Sequence, residues 1–440
     1  MSPAIIRAFM ALFKKKKKKR VLIIGLDGVP HSLLLDLAQK GIMPATSRLI
    51  DSGHIHRMKA SLPEISAVSW TNFMTGANPG THGIFGFTDF KSNSYDLRFP
   101  NFLDLKKETF WDKLGEQRRK CIIINQPSTY PARKINGILI SGFVAIELSK
   151  AIYPLFYKAA LEKMGYQIDI DTQKSRENAE FLWQDLSKTL SVRQKALNFF
   201  WKEDWDYLEF VITGTDRLHH FQWDAYEDEN HVHHQNFLDY YRQIDGVINE
   251  IITSFRKLED DDHGLYFLSD HGFAKIEQEV YLNAWLEKES YLKFNNSLPQ
   301  SLADISASTR AFAMEPNRIY LNLKEKFPEG CVEQSEKKAL KEEISKKLEK
   351  LEYKGKKVVR CVFDAEEIYS GPYLCDGPDL IVLSEYGFDM KGSVKKKELF
   401  GRSNLKGMHT WDDAFFWSKK EQGQDLSISD LAKIILQDFL

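Results

Sequence analysis

Val21-Leu22-Ile23-Ile24-Gly25-Leu26-Asp27-Gly28 follows a lysine-rich N-terminus, and the rest of the chain is best read outward from it. Six successive residues without a polar side chain, rich in β-branched and leucine residues, predict a strand buried on both faces. A sheet with one wet face would alternate apolar and polar positions, whereas continuous apolar strands belong to parallel sheets covered by helices on both sides. Gly28 then allows a sharp turn, so Asp27 stands just past the C-terminal end of the strand. Open α/β sheets bind their ligands at that edge. Asp-Gly is also a common turn pair, so this motif alone leaves a simple turn aspartate open.

Two further segments repeat the placement. The run Leu208-Glu209-Phe210-Val211-Ile212-Thr213 precedes Asp216, with His220 four residues later. One helical turn brings Asp216 and His220 to one side, while His219 points elsewhere. The run 265–269 leads into Asp270 and His271. Asp-His-Gly occurs twice, at 262–264 and 270–272, but only the second copy lies at the C-terminal end of its strand. His263 is therefore assigned to a turn. Carboxylates and imidazoles gathered at one sheet edge suit divalent metal ions and hydrolytic chemistry.

Strands are also predicted at 121–125, 138–141 and 380–383, and helices at 32–39, 66–75, 181–201, 237–255 and 428–439. The helix predicted at 337–350 is so charged that it is assigned a solvated face. Strands alternating with helices define an α/β fold, a large mostly parallel sheet sandwiched by helices. Residues 21–440 are expected to form one domain. The stretches around 90–200 and 275–375, richer in aromatic residues and irregular patterning, are expected to be inserted cap segments.

Ser66 opens the helix predicted at 66–75. It is either a helix cap or a hydroxyl presented where helix N–H groups favour an anion. Ser61, Ser69 and Thr71 compete with it on sequence alone. His409, in Gly407-Met408-His409-Thr410, is a lone histidine late in the chain. His231, His233 and His234 lie among acidic residues, in the pattern of an exposed loop.

A net charge of −1 argues against a globally basic nucleic-acid binder, and no specific nucleic-acid partner is expected. Residues 1–20 nevertheless hold eight basic and no acidic side chains. Positions 4–13 are apolar apart from Arg7, too short to span a bilayer. With the basic run behind them, residues 4–20 are expected to make weak contact with anionic membrane, a solvated tail being the alternative. Four widely separated cysteines in 440 residues do not make a disulfide scaffold. A reducing, cytoplasmic location is expected, peripheral at the membrane through 4–20.

Taken in order, Ile24-Gly25-Leu26-Asp27-Gly28, Ser66 through Thr75-Gly76, Pro79 to His82-Gly83-Ile84, Thr215-Asp216 with His220, Ser269-Asp270-His271-Gly272 and Gly407-Met408-His409 resemble the alkaline phosphatase superfamily. The branch they resemble is the type I phosphodiesterase/nucleotide pyrophosphatase group. The resemblance implies two divalent metal ions, usually zinc with manganese as the alternative. It implies Asp216, His220 and His409 at one ion, and Asp27, Asp270 and His271 at the other. Ser66 would be the nucleophile touching the second ion, and a phosphoseryl intermediate would form on it. The substrate would be a small phosphate ester, most naturally a phosphodiester or nucleotide pyrophosphate. Two departures bear on specificity: the group has threonine as nucleophile and asparagine three residues on, where this chain has Ser66 and Ser69. A phosphomonoesterase or phosphomutase is therefore the enzymatic alternative. A membrane-associated binding protein on a degenerate phosphatase fold is the non-enzymatic one. The sulfatase pattern Cys/Ser-x-Pro-x-Arg is absent around Ser66.

Overall fold

The computed structural model describes residues 18–402 and 404–439. Most of the segment expected to touch membrane, residues 4–17, lies outside the described residues. Lys18, Lys19 and Arg20, which follow it, pair with Asp204, Asp438 and Glu259.

The central sheet has eight strands: β1 (Val21–Leu26), β2 (His54–Met58), β3 (Cys121–Gln126), β4 (Gly137–Ser141), β5 (Ile152–Tyr153), β6 (Tyr207–Ile212), β7 (Leu265–Leu268) and β8 (Ala414–Ser418). Their spatial order is β2-β8-β7-β1-β6-β3-β4-β5. The five strands from β7 to β4 are mutually parallel, while β8 and β5 run against their neighbours. The fold is thus the expected α/β sandwich on a mostly parallel sheet.

The apolar run of β1 is continuous because both its faces are covered. Leu22, Ile24 and Leu26 join one core with the helices Ala179–Phe200, Gly214–Glu227 and His234–Phe255. Val21 and Ile23 join another with Trp70, Phe73 and Met74 of the helix Ser66–Thr75. Register does the rest. Leu26 pairs with Ile212 and Gly25 with Leu268, so the three strands end side by side.

A second sheet stands beside the first. Strands Ala311–Met314, Arg318–Leu321, Leu380–Ser384 and Val359–Asp364 pair antiparallel over their own core, which includes Phe312, Tyr320, Leu340, Ile344 and Val382. The helix Lys337–Leu348 corrects the expectation of a fully solvated helix. Leu340, Ile344 and Leu348 recur every four residues and are buried, a stripe that the surrounding lysines and glutamates obscure in sequence. Within 90–200, the strands expected at 121–125 and 138–141 and the helix expected at 181–201 are present; the stretch supplies β3, β4 and β5 to the central sheet and the helix Ala179–Phe200 to its core. The closing helix is shorter than expected, Leu431–Gln437 preceded by a 3-10 turn at Ile428–Asp430.

Candidate metal centre

The aligned strand ends gather two carboxylate–imidazole groups. Among the described residues, Asp27, Asp270 and His271 form one, and Asp216, His220 and His409 the other. Within each group the candidate ligand atoms lie within 4.8 Å of one another. The two groups touch, because the His271 and His409 rings stack at 3.8 Å between centroids. Ser66 sits against the first group, its Oγ 3.2 Å from Asp27 Oδ1 and 3.0 Å from His271 Nε2.

Each position has a local cause. Asp27, Asp270 and His271 follow β1 and β7 directly. The backbone N–H of Gly28 donates to Asp270 Oδ1 at 2.9 Å and joins those two strand ends. Asp216 and His220 lie one turn apart in the helix that follows β6. His409 arrives by pairing that its own sequence does not announce. The strand Gly272–Lys275, directly after His271, runs antiparallel to Gly407–Thr410 and sets Phe273 opposite His409. Ser66 is the first residue of its helix, and Trp70, one turn on, donates its indole N–H to Asp27 Oδ2 at 3.0 Å.

All three imidazoles present the same edge. The Nδ1–H of His220 donates to the Gly407 carbonyl at 3.1 Å, that of His409 to the Glu64 carbonyl at 2.9 Å, and that of His271 to the Gly272 carbonyl at 3.0 Å. A proton held on Nδ1 leaves Nε2 with its lone pair, the arrangement of metal-ligating histidines. The Nε2 atoms of His220 and His409 face each other at 3.0 Å, with Asp216 Oδ1 3.2 Å from the latter, so a shared proton or a metal cation belongs between them. His219 is different, because both its ring nitrogens are engaged, with the Gly28 carbonyl and the Tyr241 hydroxyl. It is a satisfied core residue.

The electrostatics agree. Burial pushes the Asp270 carboxyl up to about 7, despite the Gly28 N–H bound to it. Burial, with Asp270 and Asp216 nearby, raises Asp27 well above the usual carboxylate range. Burial opposes ionisation of Asp216 as well, but His220, His409 and Arg217 hold it far below. Burial lowers His220 to about 3. Asp270 Oδ2 is buried with no hydrogen-bond partner. Three buried carboxylates, His220 and His271 held neutral by burial, and an orphaned acceptor are costly without positive charge, which the raised His409 answers only in part. The donor set is nitrogen and oxygen, so the residues fit divalent ions of the zinc or manganese kind.

Several contributors escape sequence reasoning. Arg217 pairs with Asp216 at 3.3 Å and with Asp169 at 2.7 Å. Thr215 donates its hydroxyl to the Asp27 carbonyl at 2.6 Å. Glu64 receives the Asn317 amide on both carboxylate oxygens, at 3.1 and 3.0 Å. Trp70 and Arg217 stand beside residues already singled out, which is the signal that was there to find. Asn317 carried none. The rival hydroxyls are occupied elsewhere: Ser61 and Ser69 bond each other at 2.8 Å, and Thr71 donates to the Ala67 carbonyl.

Residues 21–412 match the type I phosphodiesterase / nucleotide pyrophosphatase family. The chain belongs to that family, and it is a hydrolase of phosphoric esters. Among solved structures, phosphonoacetate hydrolase from Sinorhizobium meliloti 1021 in complex with phosphonoformate is similar with a TM-score of 0.64 and 14% identity, over 96% of each chain. Its complex with phosphonoacetate gives 0.63 at the same identity and coverage. Murine ectonucleotide pyrophosphatase / phosphodiesterase 5, as an inactive variant in complex with AMP, gives 0.57 at 11% identity, over 96% of this chain and 94% of that one. At these identities the likeness is one of fold. No curated protein matches the sequence. Among the described residues, no helix is long and apolar enough to cross a membrane.

Proposed function

We propose that the chain hydrolyses phosphodiesters through a phosphoseryl intermediate on Ser66, with one divalent ion held by Asp216, His220 and His409 and another by Asp27, Asp270 and His271. The observation that carries this reading is the position of Ser66 Oγ, 3.0 Å from His271 Nε2 and 3.2 Å from Asp27, at the start of a helix. Bound there, zinc or manganese ions supply Lewis acidity that favours the serine alkoxide and offsets charge on the leaving oxygen. Asp27, itself held by Trp70, orients Ser66. Ile65, the residue before the helix, provides no side-chain cap, and its carbonyl takes the Val68 N–H, which leaves the N–H groups of Ser66 and Ala67 for phosphoryl oxygens. Ser66 Oγ forms the new bond to phosphorus as the bond to the leaving alcohol oxygen breaks. Water then cleaves the phosphoserine and returns the hydroxyl.

A monoesterase or phosphomutase reading has one observation in its favour. Ser69, where the family's typical members carry a phosphate-binding asparagine, is engaged by Ser61. Steady-state assays on bis-p-nitrophenyl phosphate and p-nitrophenyl phosphate separate the two. The diesterase reading expects faster turnover of the bis-ester, and a monoester preference of roughly a hundredfold would replace it. Ser66→Ala is expected to lower kcat by roughly a thousandfold or more while two metal equivalents remain by elemental analysis. Substantial residual turnover would remove Ser66 from the chemistry.

A further inference from the structure

A cavity of about 350 Å³ opens beside the Asp216–His220–His409 group, with His220 in its wall. Its position follows from the chemistry proposed above, and the inference rests on that reading. In-line displacement puts the leaving oxygen opposite the nucleophile. Ser66 lies against the Asp27–Asp270–His271 group, so the leaving arm departs on the side of Asp216, His220 and His409, where this cavity begins.

The wall has two characters. Phe143, Val144, Ile146 and Phe221 make it apolar. Val144 and Ile146 are 62% and 86% exposed, which is unusual for residues beside a polar centre. Two arginines also face the cavity. Arg217 is committed: it pairs with Asp169 and Asp216, and its guanidinium lies 4.4 Å from the Phe143 ring centroid. Asp169, the acidic residue of this wall besides the candidate ligands' own group, is thereby neutralised. Arg176 is not committed. Among the described residues it forms no ion pair, and its guanidinium rests over the Phe221 ring at 5.7 Å. A cation propped on an aromatic ring in the wall of a part-apolar cavity is equipped to receive an anion.

We propose that this cavity selects phosphodiesters whose leaving arm is apolar next to the phosphate and carries a second acidic group, a carboxylate or a phosphate, which Arg176 binds. The apolar portion packs on Phe143, Val144 and Phe221. No covalent step beyond the ester cleavage is involved.

The test uses two chromogenic substrates on the intact chain: methyl 4-nitrophenyl phosphate and its analogue with a carboxylate at ring position 3. The readout is the ratio of kcat/KM for the carboxylated over the plain substrate. Comparing that ratio between proteins cancels the intrinsic difference in leaving-group reactivity. R176E is expected to lower it at least tenfold, and R176K less. I146E, at another residue lining the cavity, adds a negative charge and should lower it as well. Calorimetric titration with the product 3-carboxy-4-nitrophenol reads the same pocket without turnover, and binding should weaken in R176E. An unchanged ratio and unchanged product binding in R176E overturn the proposal. If neither ester is hydrolysed by the parent protein while product binding still depends on Arg176, the hydrolase reading has failed and the pocket has not.

Discussion

Glu209 shows how far a single side chain departs from its ordinary behaviour in this fold. It lies in β6, fully buried, and accepts the Tyr207 hydroxyl at 2.7 Å. The Gln126 amide lies against it and, turned to satisfy its neighbours, donates its N–H to the Glu209 carboxyl. Burial pushes that carboxyl from 4.5 up to about 8. The folded chain thus keeps a proton that the unfolded chain releases. Stability from this group is complete below pH 4.5 and drains away as pH rises to about 8, by about 5 kcal/mol at most. Glu209→Gln retains the neutral shape and has no proton to lose. Melting temperatures across pH 5–9 should fall less steeply for the variant than for the parent protein. Parallel curves would mean that Glu209 is ionised in the native state.

Gly28 ties the ends of three elements together. Its N–H holds Asp270, its carbonyl receives His219, and its φ of +67° is left-handed. A Cβ at this point would stand 2.8 Å from Phe273 and 3.1 Å from His271. Gly28→Ala should cost about 1–2 kcal/mol from the backbone alone, and the contact with Phe273 and His271 adds to it. Because His271 is one of the atoms displaced, metal content should drop along with the melting temperature. A variant that melts lower yet retains its full metal complement would show that the strand junction tolerates the shift. Strand-end turns and ligand placement are one structural problem here, which explains why the Asp-Gly pair was informative despite being a common turn.

The four-stranded sheet reaches the centre through a contact of Asn317 with Glu64. Asn317 begins the turn into a strand of the second sheet and donates to both oxygens of the buried Glu64 carboxylate. The Glu64 backbone carbonyl fixes the ring of His409. Asn317→Ala leaves a buried carboxylate without these donors, a loss of about 1–3 kcal/mol. Denaturant unfolding should register that loss, and amide exchange should quicken at Gly407–Thr410 together with the hairpin Ala311–Leu321. Faster exchange confined to the hairpin would uncouple the second sheet from the centre.

The central strands and the residues at their ends were legible because burial on both faces imposes a continuous apolar run, and a carboxylate directly after such a run stands out. Asp27, Asp270 and His271, and Asp216 with His220, belong to that class, since their placement is local. The helix Ser66–Thr75 was legible for the same reason, between a serine start and a glycine stop. The buried stripe of Lys337–Leu348 was not, because charged residues outnumber its three apolar contacts. Nor was the edge strand Ile152–Tyr153, only two residues long and set among irregular connections. The meeting of His409 with Asp216 and His220 depends on a hairpin closed across more than a hundred residues, and the hold of Asn317 on Glu64 on contact of the four-stranded sheet with the centre. Local sequence determines which residues can end a strand or open a helix. Packing alone determines which of those ends share one point in space, because the pairing energy that brings them there is distributed over the whole sheet rather than written in the residues it unites.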